Sequence, residues 1–249
     1  MSLWTVEHAK TLLPALAGMI LLAVVLRKLL GNREWEIRMI PIQVLAVALL
    51  LLEEGKQIVS LWHGYDLYHL PFHFCSLFIF CIPAAAFYRG KYSRTVMGVA
   101  TAWSAALFLL MMIYPALIYS DGNINEYFRD YMSFHTVTFH NVVMLIFVLI
   151  LALDLYTPQK KTQIKASMAG TGVFCVISAT MAQLLKTNYA NYYSCNIPPL
   201  EEVRLSLQGV LGVGVTQLLY VLIVSALNFL FVLLSIGFYN LLRRLLFKK

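Results

Sequence analysis

Seven long apolar stretches, near 11–29, 39–62, 70–88, 95–117, 134–155, 164–185 and 213–242, divide the chain. A helix needs roughly 20 apolar residues to cross the hydrocarbon core of a bilayer. The pattern therefore predicts an all-α, polytopic membrane helix bundle, one domain over 1–249 with seven transmembrane helices. The last stretch is long enough to tilt or to project from the bilayer. Stretches four and seven are almost purely apolar and are expected to face lipid or fill the bundle. Stretches two, three, five and six carry the polar side chains, so they are expected to face one another, because lipid-exposed polar groups are costly. In the sixth, Thr171, Ser178, Thr180 and Gln183, with Gly170 and Gly172, read as ordinary helix–helix contacts. The longest polar segments are 118–133, rich in Asp, Asn and Tyr, and 186–210. The pair Pro198–Pro199 in the second is expected to stop any helix there. The two segments are expected to pack together as a cap.

Composition agrees with this pattern. The chain is 60% hydrophobic and 12% charged, with a mean hydropathy of +0.74, against about a quarter charged in soluble domains. Charge adds direction. Fourteen of the 19 basic residues cluster where the odd-numbered stretches end and the next begin, or in the tail: Arg27, Lys28, Arg33 and Arg38; Arg89, Lys91 and Arg94; Lys160, Lys161 and Lys165; Arg243, Arg244, Lys248 and Lys249. Basic loops stay cytoplasmic, which predicts an outside N-terminus, a cytoplasmic C-terminus and residence in the cell membrane. The net charge of +7 is then largely a topology device. Its expected partners are membrane phospholipids, and nucleic acid is excluded by the scatter of these residues over short loops. The first stretch is expected to act as signal and anchor together.

All six histidines (His8, His63, His69, His73, His135 and His140) fall at the predicted outer face with nine of the 12 acids. His8, His63 and His69 read as interfacial. Glu54 stands about 22 Å along the second helix at 1.5 Å per residue, and a charge at that depth is a functional candidate. In Leu70-Pro71-Phe72-His73-Phe74-Cys75, Pro71 suits a first helical turn, while Leu70 before it is biased away from helix. A helix from there would point His73 and Cys75 about 200° apart. His135 and His140, five residues apart, would be about 140° apart, so the deeper His140 is the better buried candidate and His135 sits at the mouth. The candidate catalytic residues are His73, His140, Glu54 and Cys75. His135, Gln57 and Tyr192 are candidates for substrate binding. No cofactor motif is present, and no metal ligand set is assigned, since His73, His140 and Glu54 come from three helices with no spacing to test. A Cys75–Cys195 disulfide is left open.

Three segments carry a family resemblance: Leu70-Pro71-Phe72-His73-Phe74-Cys75-Ser76-Leu77, the histidine-bearing start of the fifth stretch, and Asn191-Tyr192-Tyr193-Ser194-Cys195-Asn196-Ile197-Pro198-Pro199. With the seven-stretch layout, they make the chain resemble bacterial YwaF-type integral membrane proteins and the related animal transmembrane protein 164. The resemblance implies acyl transfer between phospholipids through a cysteine beside the motif histidine. This chain departs there, with Phe72 before His73 and Cys75 as the nearest thiol.

The leading expectation is a lipid acyltransferase or acyl hydrolase of the outer leaflet. His73 or His140 would be general base, tuned by Glu54, with Cys75, a hydroxyl such as Ser76, or water as nucleophile. The alternatives are a proton-coupled transporter using Glu54 and the histidines, and a non-catalytic receptor or scaffold.

Overall fold

The computed structural model describes residues 3–247; Lys248 and Lys249, counted above among the basic residues, lie outside the described residues. The described chain is all-helical, with 81% helix. Six helices are long and apolar enough to cross a membrane: α1 (Val6–Leu30), α2 (Trp35–Trp62), α4 (Ser93–Ile113), α6 (Tyr131–Ala152), α7 (Lys160–Leu185) and α9 (Val213–Leu246). Three shorter ones are α3 (Phe78–Phe87), α5 (Asp121–Asn125) and α8 (Pro198–Leu211). Local chemistry sets their ends. Thr5 and Asp130 cap α1 and α6 by accepting from the backbone N–H groups of His8 and Ser133. Lys186 closes α7 in a left-handed conformation.

α4 forms the centre and packs against α3, α6, α7 and α9. Its buried stripe of Gly98, Ala100, Thr101, Ala102, Ser104, Ala105 and Ala106 explains why: small side chains let helix backbones approach closely. The fourth stretch therefore fills the bundle and separates α7 from α2 and α6, so the polar helices do not form one mutual cluster. Thr171 accepts from Trp103 Nε1 on α4 (3.3 Å).

The expected helix 70–88 is interrupted. Leu70 and His73 are extended, Phe74–Leu77 is a 3₁₀ turn, and only ten residues, Phe78–Phe87, are α-helical. Pro71 biases Leu70 away from helix, as expected, and no helix starts at Pro71 either. The Phe72 carbonyl instead accepts from Ser178 Oγ of α7 (2.8 Å). The segment still runs between the two ends of α2. The His69 carbonyl accepts from Gln57 Nε2 near the end of α2, and the Ala86 carbonyl from Gln43 Nε2 near its start. Pro198 and Pro199 also differ from expectation. They open α8 rather than stopping a helix, because the first turn needs no intrahelical N–H.

The two ends of the bundle are chemically unlike. At one end Arg38 donates to the Leu153 carbonyl (2.7 Å), Arg243 pairs with Asp154 (2.8 Å), and Arg89 lies over Trp35. At the other, α5 packs on α1 and α6, and the histidines gather.

Candidate functional site

The helical rhythm of α2 builds the first wall. Its buried positions Met39, Ile42, Ala46, Leu49 and Glu53 step by three and four residues, the spacing of one helix face. Glu53 is thus turned inward, while Glu54 is exposed. Burial requires Glu53 to be compensated. Its Oε1 pairs with Lys56 Nζ (2.6 Å) and accepts from Gln57 Nε2 (2.8 Å), and its Oε2 lies 3.5 Å from His135 Nε2 on α6. The last contact is too long for a well-formed hydrogen bond, and His135 Nε2 is buried without a hydrogen-bond partner. Gly55 permits the approach of α6: a Cβ there would overlap the Tyr131 hydroxyl, which donates to the Leu52 carbonyl.

Five residues beyond His135 on α6, His140 is buried. Its Nδ1 contacts the Thr136 carbonyl at 2.5 Å. A carbonyl only accepts, so Nδ1 carries the proton, and in the neutral ring Nε2 keeps its lone pair. No partner for that Nε2 occurs among the described residues.

His73 is spent differently. Its Nε2 donates to the Tyr68 carbonyl (3.1 Å), and its Nδ1 receives the Ala190 N–H (3.5 Å). Its ring lies between those of Tyr68 and Tyr189, at 4.4 and 5.3 Å. Tyr189 also meets Phe72 edge-on and donates to the Leu67 carbonyl. The His73 segment and the Tyr189 segment are therefore clamped together. Ala190 and Asn191 both hold left-handed backbones (φ 48° and 63°), a conformation costing roughly 1–2 kcal/mol for an L-residue. Neighbours pin that bend: Tyr220 Oη donates to the Asn191 carbonyl, and Gln183 and Gln217 both donate to the Tyr192 carbonyl.

These parts enclose a cavity of about 320 Å³, lined among others by Glu53, Lys56, His73, Cys75, His135 and His140. Ser76, Asn188, Asn191, Asn196 and Asn228 also reach it, as do Leu117 and, from the 118–133 segment, Ile118 and Met132. Segments 118–133 and 186–210 thus both contribute walls. All three sequence segments that carry the family resemblance meet at this cavity.

Of the candidates read from sequence, the structure brings His73, His140, Cys75 and His135 to one cavity. His73 and Cys75 share it because His73 is extended and Cys75 lies in a 3₁₀ turn; the 200° separation expected of an α-helix does not apply. Gln57 stands behind the wall, held by Glu53, the His69 carbonyl and Tyr65. Glu54 is turned outward, and Tyr192 is buried beside α9, its hydroxyl between Ser225 and Asn228. Glu53, Lys56, Asn191 and Asn228 were not singled out as site residues. Only Glu53 had a legible signal, its place in the rhythm of α2. Cys75 and Cys195 are free thiols. Among the described residues, no three His, Cys, Asp or Glu side chains lie close enough together to hold a metal ion, so His73, His140 and Glu54 do not form such a set.

The arrangement supplies an unspent imidazole nitrogen, a thiol, a hydroxyl and a buried ion pair within one enclosure. No curated protein and no solved structure matches the chain. A family model matches residues 3–236, nearly the whole chain and all the walls of the cavity: this multi-pass membrane protein belongs to the TMEM164 family.

Proposed function

We propose that the protein is a membrane enzyme that moves or hydrolyses an acyl chain of a phospholipid, with His140 as general base. The observation that carries this reading is the free Nε2 of His140 in a cavity also lined by Cys75 and Ser76. His140 Nε2 accepts the proton of the attacking group, which is the Cys75 thiol, the Ser76 hydroxyl or a water, and returns it to the lysophospholipid oxygen that departs as the ester C–O bond breaks; an acyl group held on Cys75 or Ser76 then passes to water or to an acceptor lipid hydroxyl. The attacked ester carbonyl develops negative charge, and donors in the wall such as Lys56 and His135 stabilise it. His73, with both ring nitrogens engaged by backbone, positions the Cys75 segment. In reconstituted vesicles, His140→Ala is expected to abolish acyl turnover, and Cys75→Ala and Ser76→Ala identify the nucleophile. Turnover unchanged by His140→Ala sinks the reading.

The same proposal includes seven crossings, an outside N-terminus and residence in the cell membrane. It is supported by the basic residues at one end and by the path of 70–87 between the ends of α2. Impermeant thiol reagents on whole cells should modify Glu7→Cys and spare Lys91→Cys.

The buried Lys56–Glu53–His135 cluster favours a second reading, a proton-coupled carrier, in which these groups relay protons. Substrate-dependent proton flux that disappears in Glu53→Gln, with lipids unaltered, would replace the enzyme reading with this one.

A further inference from the structure

The polar cavity continues past His140 toward α9. A second cavity, about 560 Å³ and apolar, lies between α8 and α9. The two share walls, among them Ala190, Asn191, Asn196, Asn228 and Phe231. Beyond the junction the second is lined by Leu207 of α8 and by Leu219, Ile223 and Leu227 of α9. These four side chains are themselves exposed, by 42–58%. Leu219, Ile223 and Leu227 lie on α9, a helix long and apolar enough to cross a membrane, so the groove's apolar mouth faces the side of the bundle.

Two further features mark the junction. Asn191 Oδ1 is buried there without a hydrogen-bond partner, an arrangement costing about 1–3 kcal/mol unless a donor arrives. The bend carrying it is held left-handed by the pins described above. The outer wall is fixed in place as well: Arg204 on α8 donates to Glu201 and, at 2.9 Å, to Gln217 Oε1 on α9, and the helices join at Gly212 (φ 80°).

We infer that the two cavities are one site, filled from the side by a membrane phospholipid: one acyl chain lies in the α8–α9 groove, and the polar part stands at Asn191, facing the histidine chamber. Three observations select a bilayer lipid as occupant: the shared walls, the lateral opening and the apolar-to-polar order along the path. The unpartnered Asn191 oxygen asks for a hydroxyl or ammonium donor in the lipid's polar part. The inference rests on the lipid reading above for its chemistry, but its test reads binding alone.

The full chain is reconstituted in nanodiscs with phosphatidylcholine bearing a diazirine on one acyl chain, irradiated, and the label mapped by mass spectrometry. Label should concentrate in 203–211 and 219–231, about tenfold above that on the outward face of α1 around Leu21 and Val24. Ile223→Trp fills the groove and should lower that label about tenfold, leaving α1 unchanged. Leu207→Trp does the same from the opposite wall if the first variant fails to fold. His140→Ala should keep the label. Labelling confined to the groove without acyl turnover would leave the groove standing and remove only the enzymatic reading. Label spread evenly over α1 and α9, and indifferent to both tryptophans, would overturn the inference, since it would report boundary lipid alone.

Discussion

The His8 node and the His140 chamber lie at the same end of the bundle, and both bury a histidine, yet they are opposite in kind. His8 is fully buried. Its Nε2 donates to the Tyr119 carbonyl (2.8 Å), its Nδ1 receives the Thr5 N–H (3.3 Å), and Asp121 stands 3.5 Å away. Every ring nitrogen is used, and the result ties the start of α1 to the segment before α6. His140 uses one nitrogen on its own helix and leaves the other open to a cavity. Burial alone therefore does not separate structural from chemical histidines here; unspent hydrogen-bonding capacity does. By that measure His73 stands with His8.

The sharpest test of this contrast is His140→Ala, expected to lower acyl turnover by at least about 100-fold, the scale of lost general-base catalysis, with little change in thermal midpoint. Glu53→Ala should rank next. It leaves the partly buried Lys56 unpaired, which costs up to about 3 kcal/mol in denaturant titrations; Glu53→Ala combined with Lys56→Met should recover most of that loss. His8→Ala should cost about 1–3 kcal/mol, the range for stranding buried polar partners, with turnover per folded molecule unchanged. If that turnover falls as far as in His140→Ala, the contrast is broken. The smallest effect concerns the groove. Hydrogen bonds from Arg204 hold the Glu201 carboxyl below its ordinary 4.5, outweighing the upward push of burial. A depressed folded value means the contribution is complete above pH 4.5 and is lost as pH falls through the lower folded value. Hydrogen exchange along α8 should accelerate at that acidic edge, and Glu201→Gln should remove the step.

Six of the seven apolar stretches became long helices because length and apolarity are local properties. The rhythm Met39, Ile42, Ala46, Leu49, Glu53 was equally legible and turns Glu53 inward; depth along the helix, used alone, favours Glu54, which is turned outward, since depth ignores rotation. The broken segment 70–77 was half legible. Pro71 signals a break, but what stabilises the extended residues is Ser178 and Ala190, more than 100 residues away. Asn191 and Asn228 gave no local signal. Their roles come from the bend at Ala190–Asn191, which distant partners hold, and from where α9 packs.

That distance has a consequence for biogenesis. The carbonyl of Phe72 and the imidazole of His73 emerge from the ribosome well before their partners on α7 and the following bend, separated by 106 and 117 residues. During that interval the segment has two prolines, Pro71 and Pro83, and a helix of only ten residues with which to settle in the membrane. Its insertion must therefore wait on the later part of the nascent chain, or be held meanwhile by the translocation machinery. Chains stalled before residue 178 should leave 70–77 open to proteases that the finished protein resists. The chamber closes only when α9 arrives with Asn228 and Val232, so a chain cut short before α9 leaves its histidines without a finished enclosure.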